Sequence, residues 1–334
     1  MKIVRMGRTG LKVSEICLGT MTFGNQANEA TSFAIMDHAA AAGINFLDTA
    51  DGYPLGGSLE TVGRTEEIVG RWLQGKRDRF VLATKCFARM GEQPNDAGLS
   101  RRHIIAACEA SLRRLETDYI DLYQAHFPDS ETPIEETLRA YDDLVRSGKV
   151  RYIGCSNYPA WELAKALWTS DKLNLARYDC VQPRYNILFR HIETELLPLC
   201  RDQGVGVIAY NPLAGGFLTG RYQPGQDVQA GTRFGLDNAG PLYRQRYWQE
   251  AQFTVVQELK QAIDARNLSL TQVAVAWVLA QPGITSAIVG ASRPEQLDGS
   301  LPAIALTLDA ETRAICDAAW YQLPRESNPA VATR

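Results

Sequence analysis

Four residues in the first half of the chain carry chemistry in their types and spacing: Asp48, Tyr53, Lys85 and His126. Asp48 and Lys85 each close a short apolar run, Asn45-Phe-Leu and Phe80-Val-Leu-Ala-Thr. His126 follows another, Tyr119 to Ala125, and Tyr53 lies just beyond Asp48 across a short turn. A carboxylate, a phenol, an ammonium and an imidazole brought together make a set for moving a proton. A free tyrosine, with a pKa of about 10, is a slow acid at neutral pH. An ammonium at about 4 Å favours its phenolate by roughly 4 kcal/mol at an effective dielectric near 20, an upper figure where solvent enters. Asp48 would keep that lysine charged and aimed. His126 would donate to an oxygen gaining negative charge. Taken singly, each has a plainer reading. Asp48 would cap a turn, and Lys85 would be a solvated strand end or a Schiff-base nucleophile. His126 would be a core histidine, and Tyr53 one packing residue among 13 tyrosines.

The elements that must gather these side chains follow a regular rhythm. Residues 2–6 and 11–13 flank Gly7-Arg8-Thr9-Gly10 and predict an opening β-hairpin. Apolar runs at 16–18, 46–48, 80–85, 119–125, 150–155, 179–182, 205–210 and 287–290 then read as strands. Helices are predicted near 29–42, 65–74, from Ser100, near 161–169, 193–203, 249–266 and 272–280. Another is predicted from Pro133 up to Gly148, with Thr132 and Glu135 as its capping box. Ser269 and Gln272 promise a second box. A short helix from Pro294, one over 310–321 and a polar tail complete the chain. Residues 211–247 show no clear strand or helix, a length typical of a lid or binding loop.

The strands are continuous apolar runs, as parallel strands buried on both faces should be. A closed barrel and an open doubly wound sheet both accept such a series. No G-x-G-x-x-G and no P-loop occurs, and composition does not break along the chain. The expected fold is therefore α/β: a (β/α)8 TIM barrel with an N-terminal β-hairpin and extra helices, residues 1–334 forming one domain. In a barrel, chemistry gathers where the strands end, because all eight following loops face one mouth. There the strands end in Asp48, Lys85, His126, Ser156-Asn157, Gln182, Tyr210-Asn211 and Gly290-Ala-Ser292-Arg293.

Composition narrows the partners. The 334 residues are 45% hydrophobic with a net charge of −3, which gives no electrostatic footprint for nucleic acid or an anionic membrane. No run has the length of a membrane span or a signal core, so a cytoplasmic protein is expected. Seven scattered cysteines read as buried reduced thiols. Four separated histidines suggest no metal site, with His38, His103 and His191 expected to face solvent.

The ordered set of strand ends resembles the aldo-keto reductases over nearly the whole chain. Leu18-Gly19-Thr20-Met21, Gly154-Cys-Ser-Asn157, Tyr210-Asn-Pro-Leu213 and Ile288-Val-Gly-Ala-Ser292 share in the resemblance. It implies reversible NAD(P)H-dependent reduction of aldehydes or ketones, with Asp48, Tyr53, Lys85 and His126 as the catalytic tetrad. The dinucleotide would lie across the barrel mouth. Ser156, Asn157 and Gln182 would hold the nicotinamide carboxamide, and Tyr210 would stack on the ring. The segments Gly19-Thr20-Met21 and Asn211-Pro212-Leu213 would line its path. Gly215 and Gly216 would let backbone approach the pyrophosphate, with Arg221 and Arg233 closing over it. At the adenosine end Gly290, Ser292, Arg293 and Gln296 remain, helped by the N-terminus of the helix from Pro294. An arginine fork there suits a 2′-phosphate, so NADPH is expected over NADH. Gly299-Ser300 replaces the Glu-Asn pair with which relatives hold adenine. Phe23, Phe87, Phe127, Tyr243, Tyr247 and Trp248 suggest an apolar or aromatic substrate pocket. Two alternatives stand beside this reading. One is a non-catalytic NADP(H)-binding partner, as in potassium-channel β subunits. The other is a lyase using Lys85 covalently.

Overall fold

The structure, a computed structural model, describes residues 1–324. The expected polar tail lies, from residue 325 onward, outside the described residues. The chain opens with a hairpin of β1 (Ile3–Arg5) and β2 (Lys12–Ser14), paired antiparallel with Val4 opposite Val13. Eight parallel strands follow: β3 (Ile16–Gly19), β4 (Phe46–Asp48), β5 (Val81–Cys86), β6 (Ile120–Ala125), β7 (Val150–Ser156), β8 (Cys180–Gln182), β9 (Gly206–Ala209) and β10 (Ile284–Gly290). Each pairs with the next and β10 returns to β3, so the sheet closes into a barrel. The fold expected from the strand rhythm is the one observed.

Helices separate the strands: α1 (Glu29–Ala41), α2 (Arg64–Leu73), α3 (Arg101–Arg114), α4 (Ile134–Arg146), α5 (Ala160–Leu173) and α6 (Leu196–Gln203). After β9 come α7 (Gly240–Tyr247), α8 (Glu250–Asp264) and α9 (Leu270–Leu279), and after β10 come α10 (Glu295–Asp298) and α11 (Ala310–Tyr321). α3 begins after Ser100 as expected, and the Ser100 hydroxyl proves to cap it, accepting from His103 N at 3.2 Å. The two expected capping boxes do not form. Thr132 donates to Asp129 Oδ2 at 2.8 Å, and Pro133 becomes the residue before α4. Ser269 precedes α9 with no side-chain cap. A nearby carboxylate outcompeted the backbone for the Thr132 hydroxyl. Loop 211–247 is also more ordered than its sequence suggests. It holds short 3-10 turns at Ala214–Thr219 and Arg233–Gly235, then α7. The inner face of α7 is tyrosine and arginine rather than aliphatic, which hid its period.

Parity along the strands decides which residues enter the barrel. Cys17, Phe46, Val81, Ala83, Leu122, Cys180 and Ile208 form one interior cluster with Met6 and Val13 of the hairpin. The hairpin therefore plugs the floor. Its turn lies against β9 so closely that a Cβ on Gly7, at φ +50°, would come 2.4 Å from Gly204 O. Alternate residues such as Leu47, Leu82, Cys86, Tyr123 and Ala125 pack outward against the helices. One further step of two along β4, β5, β6 and β8 brings Asp48, Lys85, Gln124 and Gln182 into the interior above the apolar layer. All seven cysteines are buried and free. His103, expected in solvent, is buried at the start of α3, where desolvation pushes its imidazole below the ordinary value.

Candidate active site

Four strand ends converge on one carboxylate. Asp48 Oδ2 accepts from Lys85 Nζ at 2.6 Å. Its Oδ1 accepts from Gln182 Nε2 at 2.9 Å and from Gln124 Nε2 at 3.1 Å. Gln182 also donates to Gln124 Oε1 at 3.2 Å. Lys85 makes two further bonds, to Thr49 O at 2.8 Å and Tyr53 OH at 3.4 Å. Asp48, Lys85, Gln124 and Gln182 are all buried. Buried charges persist when paired and fully hydrogen-bonded, and this pair is both.

The electrostatics follow from that enclosure. Desolvation alone would push the Lys85 ammonium down, but the Asp48 charge, helped by Tyr53, raises it well above its ordinary value. Tyr53 departs from expectation. Burial pushes its hydroxyl above the usual phenol value, Lys85 pulls it back only in part, and Asp48 adds to the rise. The free protein therefore carries Tyr53 as a protonated phenol. Desolvation, then the nearby Lys85 charge, push His126 well below the ordinary imidazole value, so it is neutral at neutral pH. The Tyr53 and His126 rings meet edge to face, with centroids 5.8 Å apart. All four residues expected to act together are brought together.

Local chain geometry fixes the phenol. Gly63 N donates to Tyr53 O at 3.0 Å, and Leu55 N donates to Met21 O at 2.9 Å. These bonds tie the ends of segment 54–63 to its neighbours. Beneath it, Glu66 of α2 accepts from Thr84 Oγ1 at 2.6 Å and from Arg114 Nε at 2.7 Å.

The second group of expected residues lies across the mouth. Ser156 Oγ donates to Gln182 O at 2.8 Å. Asn157, at φ +63°, donates to His126 O at 2.9 Å and accepts from Tyr210 OH at 2.8 Å. The Tyr210 ring is thus anchored by its tip. Thr20 is buried, its hydroxyl on Asp48 O at 2.9 Å, between Gly19 and the half-buried Met21. Asn211 leads through Pro212 and Leu213 into the Gly215-Gly216 turn, where both glycines have positive φ. A Cβ on Gly215 would come 2.7 Å from the Tyr243 ring and 3.5 Å from Arg233. A Cβ on Gly216 would lie 3.8 Å from Arg221. The two glycines and two arginines nominated together do meet. Arg233 also reaches Met21 Sδ and Tyr243 OH, at 3.4 and 3.3 Å.

The adenosine-side group stands apart, beyond Gly290. Arg293 is exposed, while Ser292 N donates to Gln296 Oε1 at 2.8 Å. The helix from Pro294 runs only from Glu295 to Asp298. The expected aromatic pocket is only partly present. Phe87 and Phe127 pack at 5.6 Å beside His126. Phe23 is buried in the outer core, Tyr243 and Tyr247 are buried under the loop, and Trp248 packs with Phe217, Tyr222, Phe234 and Phe253. Those aromatics hold the long loop together. Gln124 was missed because the strand was read as ending at His126. Stepping by two from Leu122 would have turned it inward, beside Lys85.

Known proteins resemble this chain in sequence. The Aldo/keto reductase family model matches residues 15–321. The chain is 42% identical over 318 residues to the uncharacterized oxidoreductase YrpG of Bacillus subtilis, covering 93% of each. It is 38% identical to a probable voltage-gated potassium channel subunit beta of Arabidopsis thaliana, over 91% of each. It is 34% identical to versiconal hemiacetal acetate reductase of Aspergillus parasiticus, over 93% of this chain and 94% of the relative. With a barrel closed over a buried Asp48–Lys85 pair and a family match spanning nearly every element of it, this chain belongs to the aldo/keto reductase family, whose members are oxidoreductases acting on carbonyl compounds.

Proposed function

We propose that this protein reduces aldehydes or ketones to alcohols, with Tyr53 as proton donor and NADPH as the preferred cofactor. One observation carries the reading: the unbroken contact from Asp48 through Lys85 to Tyr53, at 2.6 and 3.4 Å, at the barrel mouth. The cofactor, when bound, supplies the hydride. As the carbonyl carbon gains it, the C=O π pair moves to oxygen and the Tyr53 O–H bond breaks to give that oxygen its proton. A donor must hold its proton beforehand, and burial ensures that Tyr53 does. The phenolate left behind is balanced by Lys85, which Asp48 keeps charged. Neutral His126 donates a hydrogen bond that orients the carbonyl.

The residues at the mouth suit a nicotinamide dinucleotide. Gly215 and Gly216 take backbone angles that L side chains rarely adopt, and Arg233 Nε is buried without a partner. An anionic diphosphate held by Arg221 and Arg233 would satisfy that nitrogen. Ser156, Asn157, Gln182 and Tyr210 would hold the nicotinamide end, and Ser292, Arg293 and Gln296 the phosphorylated ribose. The lyase reading loses ground because a lysine nucleophile must be neutral, and Asp48 holds Lys85 as ammonium.

The test is NADPH absorbance with a panel of carbonyl compounds, on wild type and Tyr53→Phe. The expected outcome is wild-type turnover and a loss of about 10²–10⁴-fold in the variant, with NADPH still bound. Near wild-type turnover in Tyr53→Phe would remove it from the mechanism. NADPH binding with no turnover of any carbonyl would favour the partner role carried by the channel-subunit relatives.

A further inference from the structure

One buried acid in the turn that carries Tyr53 has no part in the chemistry so far described. Asp51 lies between Asp48 and Tyr53, fully enclosed, and neither of its carboxyl oxygens has a hydrogen-bond partner. An isolated carboxylate in such a place is costly enough that the group keeps its proton instead. Burial pushes the Asp51 carboxyl well above the usual carboxylate range, Glu66 of α2 adds to the rise, and Arg114 of α3 offsets part of it. The nearby amides of Gly52 and Phe87 favour the charged form without hydrogen-bonding it. On the strand side stand the Cys86 thiol of β5 and the Tyr123 phenol of β6, both kept neutral by burial. Arg114 is already engaged, since its Nε donates to Glu66 at 2.7 Å. Glu66 also accepts from Thr84 Oγ1, and Asp51 N donates to Lys85 O at 3.1 Å, one residue further along β5. The one arginine acting there has its carboxylate, and a second charged carboxylate would go uncompensated.

The turn has no slack to take up such a charge locally. A Cβ on Gly52 would come 2.5 Å from Ala88 Cβ, so the backbone beside Asp51 is packed against the segment after β5. Tyr53 N donates to Ala50 O at 3.2 Å, and Tyr53 O accepts from Gly63 N, itself packed on the Arg114 side chain. An ionised Asp51 seeking donors would therefore move the backbone that carries Asp48 at one end and Tyr53 at the other. The Lys85–Tyr53 contact, at 3.4 Å the longest in the chain of three, would open first. We propose that Asp51 is a positioning residue for the proton donor: it holds the turn as a neutral carboxylic acid, and losing that proton displaces Tyr53 and lowers turnover. This rests on the reductase reading and adds a control of that site by pH. Tyr53 and Lys85 do not set such a limit at moderate pH. Burial pushes Tyr53 above the ordinary phenol value, and Lys85, against desolvation, is held above its own by Asp48.

The experiment compares wild type with Asp51→Asn, which has the same shape and cannot ionise. Two quantities are followed against pH: kcat for 4-methylbenzaldehyde at saturating NADPH, and the unfolding constant in urea. Wild-type kcat should fall about tenfold per pH unit once Asp51 ionises, and the variant should show no such limb below the titration of Tyr53. NADPH affinity, read by fluorescence, should be alike in both. In the unfolded chain Asp51 loses its proton near pH 4, whereas the folded protein keeps it. The unfolding constant of wild type relative to the variant should therefore rise about tenfold per pH unit from about pH 4, levelling where folded Asp51 ionises. A ratio that stays constant with pH overturns the neutral acid. A rising ratio with superimposable kcat profiles overturns the positioning role. If wild type reduces no carbonyl, the reductase reading fails, and hydrogen exchange of the peptide spanning residues 48–63 decides the displacement instead. Exchange in wild type that outruns Asp51→Asn as pH rises supports it, and equal exchange at every pH overturns it.

Discussion

The barrel interior and the loop that crosses its mouth treat charge in opposite ways. Inside, Asp48 accepts from Lys85, Gln124 and Gln182, and Lys85 uses three acceptors. Over the rim, Arg233 and Arg246 each keep a buried Nε without a partner. The inner set is complete before any ligand arrives, so it is preorganised and costs no reorganisation during reaction. The outer set is left incomplete, with two buried guanidinium nitrogens unsatisfied. On the proposed function, the difference separates residues that do chemistry from residues that hold what the chemistry is done with.

Breaking the complete side should have the largest effect. Lys85→Met leaves Asp48 buried beside two amides with no compensating charge, at a cost of about 3–5 kcal/mol in urea unfolding. Turnover should fall about as far as in Tyr53→Phe, and any remaining activity should move to a different pH range. Stable protein with an unchanged pH profile would contradict the tuning role. Next comes the open side at the adenosine end. Arg293 is exposed, and among the described residues no carboxylate pairs with it. Arg293→Ala should weaken NADPH about tenfold to a hundredfold and leave NADH nearly untouched, by fluorescence titration. Equal losses for both cofactors would place Arg293 outside phosphate recognition.

Smaller effects sharpen the comparison. Gln124→Leu removes one of three donors to Asp48 and should cost about 1–3 kcal/mol of stability, with a modest loss of kcat. A neutral result would mean that Gln182 alone suffices at Oδ1. The last concerns His126, whose folded pKa lies well below its ordinary value. Below about pH 6.5 the unfolded chain binds a proton that folded His126 refuses. Its contribution is therefore fully present above that pH and is lost as pH falls. His126→Gln should flatten the acid side of the stability–pH curve measured by urea unfolding. An identical slope would show that His126 does not titrate differently in the two states.

Much of this protein was legible in its sequence, for local reasons. Continuous apolar runs that end in polar residues specify parallel strands and their mouths, and closure into a barrel follows from eight of them in series. That was enough to name Asp48, Tyr53, Lys85 and His126 before their distances were known. The helix start at Ser100 was legible and its side chain caps the helix, whereas the cap expected of Thr132 fails because its hydroxyl bonds Asp129. Aromatic residues in and just after loop 211–247 were legible as a group but not as to what they face. Trp248 turned inward to Phe217 and Phe253 rather than to a substrate. Only the tertiary structure decided the rest. Gln124 joins Asp48 because β6 and β4 flank β5, a pairing across 76 residues that no local pattern encodes. The protonated state of Tyr53 is a balance of burial and the Asp48 charge against Lys85 at set distances, and residue types alone do not fix distances. Arg184, Arg233 and Arg246 are scattered surface-type residues in the sequence. They come near one another only in the fold, Arg233 and Arg246 beside the Tyr243 ring and Arg184 beside the Tyr247 ring of the same helix.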